Sequence, residues 1–297
     1  MRLQDPTTPS ANHKSSQEVM GAAGGAASSA KGDVFARTLG LQTQADDHYR
    51  AQLGDEWWVF RGPNGGFLAG LMMEAMTQRL GDPSRVPRVL TVHYPKVPRE
   101  GAIDIQTRVL RQGRSMTWVN AELSQGGEQC VVARAAFSGP WPSVNYNDVQ
   151  PPQVPPITDA LHIPPEVMPR SARNFKFYST FGAPYAAMGA GTVGGYIRPA
   201  EPRIYDPQLL AIISDAWYPA AFARTAEPVM AATLDLTVHF RDYAALTELD
   251  PNAYVLAVFR SQLATEGFFE EDGELWAPDG RLLAQSRQLA IAAPLSR

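Results

Sequence analysis

Cysteine is nearly absent. Cys130 stands alone, so no intrachain disulfide can form, a usage that fits a reducing cytoplasm. Long apolar runs are missing as well: no stretch approaches the ~18 continuous apolar residues of a membrane span. Positive charge is not in excess, and a formal net charge of −4 with a pI near 5.8 argues against a general binder of nucleic acid or anionic membranes. Histidines are few (13, 48, 93, 162 and 239), and none has metal-ligand spacing to Cys, Asp or Glu. No G-x-S-x-G occurs, which removes the usual nucleophile elbow. GAGTVG at 189–194 satisfies G-x-G-x-x-G, but it leads into GYIRP and not into a helix, so it makes a poor dinucleotide loop.

What remains is an ordinary globular composition, 44% hydrophobic and 19% charged, spread over 297 residues. That is enough for about two domains of roughly 150 residues. Residues 1–33, rich in Ala, Gly and Ser, bury too little to fix themselves and read as a disordered tail. Proline is concentrated between residues 139 and 172, which favours extended surface chain and marks a linker. It separates an N-terminal unit, 34–138, from a C-terminal unit, 173–297.

The two units share an order of elements. LTVHY occupies 90–94 and LTVHF occupies 236–240. Each follows an apolar, helix-favouring segment: FLAGLMMEAMTQRL (67–80) in the first unit, LLAIISDAWYPAAF (209–222) in the second. Asp206-Pro207 supplies an N-cap and an N1 proline for the second helix, and Pro219 is placed to kink it. Alternation predicts strands at HYRAQLGDEWWVFRG, at both LTVH motifs and through the segments after them. In LTVHF, Leu236, Val238 and Phe240 face one way, Thr237 and His239 the other. QGG at 125–127 and APDG at 277–280 signal hairpin turns. A long helix followed by an antiparallel meander is the hotdog arrangement. The expected fold is therefore α+β, a double hotdog: two antiparallel sheets, each wrapped around a long helix, forming an internal pseudo-dimer.

Few polar residues interrupt these patterns. Asp215 is the only ionisable side chain from Leu209 to Phe222. A buried carboxylate is costly unless paired, so it either reaches a rim or serves a cleft. Glu74 on the first helix is followed by Thr77, Gln78 and Arg79 and reads as solvated. Gln288 shares a face with Leu282, Ala284, Ser286 and Ala290; it is either a buried amide with partners or a wet edge residue. Thr233 says little alone, since threonine is common in strands. Gly65 and Gly66 open the first helix, where they either expose unpaired backbone N–H groups to a ligand or simply make a tight turn. Cys130 and the two LTVH histidines read as a small core residue and as solvent-facing positions.

GPNGGFLAGLMMEAM with LTVHYPKVPREG, then SDAWYPAAF, AATLDLTVHF and GRLLAQSRQLAIA, resemble the two halves of the bacterial acyl-CoA thioesterase II family. The resemblance covers most of 34–297; residues 173–205 match poorly, and EGFFEEDGELWAP is longer and more acidic than the family's hairpin. It implies the double hotdog fold and hydrolysis of acyl-CoA, without metal or cofactor. It also implies a catalytic Asp, Thr and Gln that orient a water, falling on Asp215, Thr233 and Gln288. Gly65 and Gly66 become candidates to hold the thioester oxyanion. The alternative on the same fold is a non-catalytic acyl-CoA or acyl-carrier-protein binder. Further association into a homodimer is compatible with either.

Overall fold

The computed structural model describes residues 34–185 and 189–294. The expected disordered tail, 1–33, lies outside the described residues. The chain opens with a short helix α1 (Val34–Thr38), strands β1 (Gln42–Ala45) and β2 (His48–Leu53), and the long helix α2 (Gly65–Leu80). A meander follows: β3 (Val86–His93), β4 (Gly101–Gln112), β5 (Met116–Gln125) and β6 (Glu128–Ser138). After the proline-rich segment come β7 (Leu161–Ile163), β8 (Phe175–Phe181), β9 (Thr192–Pro199) and helix α3 (Pro207–Ile213). The chain ends with β10 (Val229–Phe240), α4 (Tyr243–Glu248), β11 (Val255–Arg260), β12 (Ala264–Thr265), β13 (Phe268–Trp276) and β14 (Leu282–Pro294).

Three expectations are corrected. The strands do not form two sheets but one 14-stranded antiparallel sheet, in the order β1-β2-β4-β5-β6-β3-β10-β14-β13-β11-β9-β8-β7, with β12 on β13. The strand expected over 48–62 stops at Leu53, before a 3-10 turn at Asp55–Trp57. The second helix is not long. It ends at Ile213, because Pro219 has no N–H for the carbonyl of residue 215 and its ring would crowd that carbonyl. The Ser214 hydroxyl also bonds back to the Leu210 carbonyl at 2.8 Å, a local contact that competes with helix continuation. Within the proline-rich stretch, Leu161–Ile163 pair with β8 at the edge of the sheet.

The LTVH repeat explains the junction. β3 and β10 pair antiparallel, with Thr91 opposite Thr237, Val92 opposite Leu236 and Leu90 opposite Val238. The Thr91 and Thr237 hydroxyls lie 3.0 Å apart, each facing its counterpart. Both strands break register at the same place in the motif, between Pro87 and Val89 in β3 and between Thr233 and Asp235 in β10. Leu236, Val238 and Phe240 are buried and His239 is exposed, as alternation predicts. Glycines set the hairpins: Gly126 and Gly127 between β5 and β6 have φ of 60° and 83°, and Gly280 before β14 has 86°.

The buried residues Gly66–Met73, Ala75 and Met76 of α2 pack into the core, and Trp57 stacks on Phe67 at 4.6 Å between centroids. α2 and α3 meet through glycines. A Cβ on Gly66 would lie 2.6 Å from the Ile212 carbonyl oxygen and 2.9 Å from Asp215 Cβ. At Gly70 the contacts are 2.7 Å to Ile212 Cγ1 and 3.0 Å to the Gln208 carbonyl oxygen. Glu74 is half-buried rather than a free solvated position: it accepts from Gln208 Nε2 of α3 at 2.6 Å, tying the two helices together.

Gly66→Ala is expected to push the two helices apart and to cost about 1–3 kcal/mol. Gly70→Ala, which meets a movable Ile212 side chain as well as backbone, is expected to cost less. Urea denaturation of both variants measures the order; equal stability with the parent for Gly66→Ala would contradict the close approach.

Candidate active site

The short second helix sets the position of Asp215. Because α3 stops at Ile213, Asp215 sits in the turn after it, directed at the N-terminus of α2. Asn64 is the N-cap of α2 and accepts from the Phe67 N–H at 2.9 Å. Its amide nitrogen donates to the Asp215 carbonyl at 2.7 Å and to Oδ2 at 3.1 Å. The Gly66 N–H donates to Oδ2 at 2.9 Å. Unpaired amides and the positive end of a helix favour a carboxylate there. Gly65 has the Tyr94 phenol on its carbonyl at 2.8 Å, and a Cβ on it would lie 3.0 Å from Asp215 Oδ2.

The three residues named by the resemblance come together. Thr233 donates to Gln288 Oε1 at 2.9 Å, and Gln288 Nε2 lies 3.4 Å from Asp215 Oδ1. Thr233 sits at the irregularity in β10, and Gln288 lies opposite Leu236 on β14. Asp215 and Thr233 are partly open to solvent, whereas Gln288 is 4% exposed and forms the floor. The two glycines are also at the site, but the Gly66 N–H is committed to Asp215 and is not free for a substrate oxyanion.

Two residues escaped the sequence reading. Asn64 was legible only as a turn residue after Pro63; its N-cap chemistry was the available signal. Glu271 was lost in an acidic hairpin, although alternation puts it on the same face as Phe269 and Leu275. It is 4% exposed and lies opposite Gln288. Its Oε1 accepts from Gln288 Nε2 at 2.8 Å, and its Oε2 accepts from the Ala220 N–H.

Burial dominates the electrostatics. It pushes Asp215 up to about 6, against the opposing pull of the Gly66 N–H, Gln288, Gly65 and Asn64. It pushes Glu271 up to about 8; the charges of Asp215 and Glu270 add to this, while the Ala220 N–H and Gln288 oppose it. Of the two, Asp215 is the more readily ionised.

The corresponding positions beside β3 carry none of this chemistry. Leu90 of LTVHY pairs with Ala135, which pairs with Val119; Leu236 of LTVHF pairs with Gln288, which pairs with Glu271. Thr233 at the β10 irregularity matches Pro87 at that of β3. Aligning FLA at 67–69 with LLA at 209–211 sets Asp215 against Met73. Met73, Val119 and Ala135 are fully buried. An apolar core occupies the corresponding positions on that side of the seam. Glu74 lies one residue beyond Met73 and bonds Gln208 and Gln78 instead.

Two raised carboxyls make stability fall with pH. Each holds a proton in the folded chain that the unfolded chain releases. That stabilisation is complete below the unfolded values, 3.8 and 4.5, and is gone once pH exceeds about 6 for Asp215 and about 8 for Glu271. Thermal melts from pH 5 to 9 are expected to fall by the equivalent of a few kcal/mol. In Glu271→Gln, which cannot ionise, the part between about 6 and 8 is expected to vanish.

The model of the acyl-CoA thioesterase N-terminal domain matches residues 54–138, and that of the acyl-CoA thioesterase C-terminal domain matches residues 147–292. No curated protein sequence matches the chain. Among solved structures, a conserved protein of unknown function with a hot dog fold from Alicyclobacillus acidocaldarius is 26% identical, with TM-score 0.81, over 88% of this chain and 98% of that one. An acyl-CoA thioesterase II from Mycobacterium marinum is 18% identical, with TM-score 0.71, over 88% and 99%. A tesB protein from Mycobacterium avium subspecies paratuberculosis is 18% identical, with TM-score 0.72, over 86% and 97%. Among the described residues no helix is long and apolar enough to cross a membrane. With both of that family's domains in one chain, the protein belongs to the acyl-CoA thioesterase family and is a thioester hydrolase.

Proposed function

We propose that the protein hydrolyses acyl-CoA to a free carboxylic acid and CoA, using a water held among Asp215, Thr233 and Gln288. The supporting observation is the hydrogen-bonded chain from Thr233 through Gln288 to Asp215, whose two end residues are half-buried. The chain's directions assign the roles. Asp215 Oδ2 already accepts from Gly66 and Asn64, while the contact of Oδ1 with Gln288 is a long 3.4 Å. Oδ1 is thus the freer oxygen and takes the water's proton. The Thr233 hydroxyl spends its hydrogen on Gln288, so its lone pairs are turned to the water and accept the second hydrogen. With both hydrogens engaged, the water's lone pair is left for the thioester carbon.

The water oxygen bonds to that carbon, and the proton passes to Asp215. The C–S bond then breaks, and the departing thiolate takes the proton from Asp215. In this reading Gly65 and Gly66 hold the base instead of receiving the oxyanion, which develops beside the positive end of α2. The same reading treats the chain as a double hotdog, with units 34–138 and 173–297, the strand at 161–163 extending the edge of the second. Paired LTVH motifs and matching register breaks support it.

Asp215→Asn is expected to lower kcat about 10²–10⁴-fold on acyl-CoA substrates in a thiol-release assay. Thr233→Val and Gln288→Ala are expected to act in the same direction. Full activity in Asp215→Asn would reject the reading. The parent's activity is expected to fall as pH drops through about 6, where Asp215 takes up its proton. A profile flat from pH 5 to 7 would remove Asp215 as the base.

A further inference from the structure

One buried acid takes no part in the hydrolysis just described. We propose that Glu271 is a positioning residue for that reaction: it grips the Gln288 amide by its nitrogen and turns the amide oxygen onto Thr233, fixing the hydroxyl's direction toward the water. This rests on the reading of Asp215, Thr233 and Gln288 given above.

A glutamine side chain has nearly the same shape when its amide is turned end for end, so its neighbours decide which way it points. Glu271 Oε1 is 2.8 Å from Gln288 Nε2, whereas Asp215 Oδ1 is 3.4 Å away. The shorter bond anchors the amide, and it runs to Glu271. With Glu271 ionised, a reversed amide would set its oxygen against the oxygens of Glu271 and Asp215, and its nitrogen against Thr233. The Thr233 hydroxyl would then accept from the amide and turn its own hydrogen to the water. There it would compete for the lone pair that attacks the thioester. Ionised Glu271 therefore selects the productive orientation.

The grip is itself fixed. Glu271 Oε2 accepts from the Ala220 N–H, in the turn after Pro219, so the carboxyl is held between that turn and β14. Glu271 and Gln288 are opposed across β13 and β14, which sets their spacing by register. The titratable groups pressing on Glu271 are Asp215, from the segment after α3, and Glu270, on its own strand. Both disfavour its charge, as burial does. When Glu271 ionises, its bond to the Gln288 nitrogen becomes charge-assisted and tightens, and Asp215 beside it becomes the stronger base. Both effects raise turnover.

Glu271→Gln keeps the shape but places an amide nitrogen against one of two N–H donors, Gln288 or Ala220. The expected result is a ~10- to 100-fold lower kcat, from misdirection of the water, with KM within about threefold. The parent's kcat is expected to rise through pH about 6 and again through about 8; the variant is expected to keep only the first step. A variant kcat within about twofold of the parent overturns the proposal. So does a lower kcat with an unchanged pH profile, which is what lost packing alone would give. Should Glu271→Gln fail to fold, the parent's profile decides: two steps support the proposal, and a single step near 6 overturns it. A parent that releases no thiol from any acyl-CoA, or an Asp215→Asn variant that matches it, defeats the underlying reading of the site instead.

Discussion

The site depends on how closely one helix end can approach another. The Asp215 carboxylate meets the first amides of α2 only because position 66 carries no side chain; any Cβ there would stand 2.6 Å from the Ile212 carbonyl oxygen. That approach gives the acid a bonded oxygen and a freer one. It also compensates for burial, which alone would neutralise the group. Asn64 completes the arrangement by capping α2 and holding Asp215 with one side chain. Helix packing, carboxylate geometry and proton affinity are thus consequences of one contact.

The two sides of the β3–β10 seam use equivalent positions differently. Beside β3 they hold Met73, Pro87, Val119 and Ala135; beside β10 they hold Asp215, Thr233, Glu271 and Gln288. Buried polar groups cost several kcal/mol unless satisfied, and a partly satisfied network is worse than an apolar core. Two buried polar residues, Glu271 and Gln288, and two half-buried ones, Asp215 and Thr233, stand where the other side packs an apolar set. The hydrogen bonds among them account for their tolerance.

Much of the fold was legible because it is local. Alternation fixed the faces of LTVHF, glycines marked the hairpins, and Asp206-Pro207 marked the start of α3, where Asp206 accepts from the Leu209 N–H at 2.7 Å. The repeat was legible as a repeat, but its meaning was not. Nothing in five residues says that the two copies pair with each other and merge two expected sheets into one. The end of α3 was misplaced because apolar content extends past it; Pro219 acts on the carbonyl four residues earlier, and helix propensity does not count that. At the site, Asp215 stood out as a lone acid, whereas Thr233 and Gln288 needed the family resemblance. Glu271 and Asn64 act through partners 17 and 151 positions away, beyond the reach of any local pattern.

Thr91 and Thr237 face each other 3.0 Å apart across the seam, as identical residues of two separate molecules would across a dyad. Here they sit 146 positions apart in one polypeptide. In an assembly of two identical subunits, every substitution is duplicated, and a costly acid enters both halves or neither. A continuous chain lifts that coupling. One half is free to remain a hydrophobic scaffold while the other carries the polar cluster, so the energetic burden of holding it falls once per pair instead of twice.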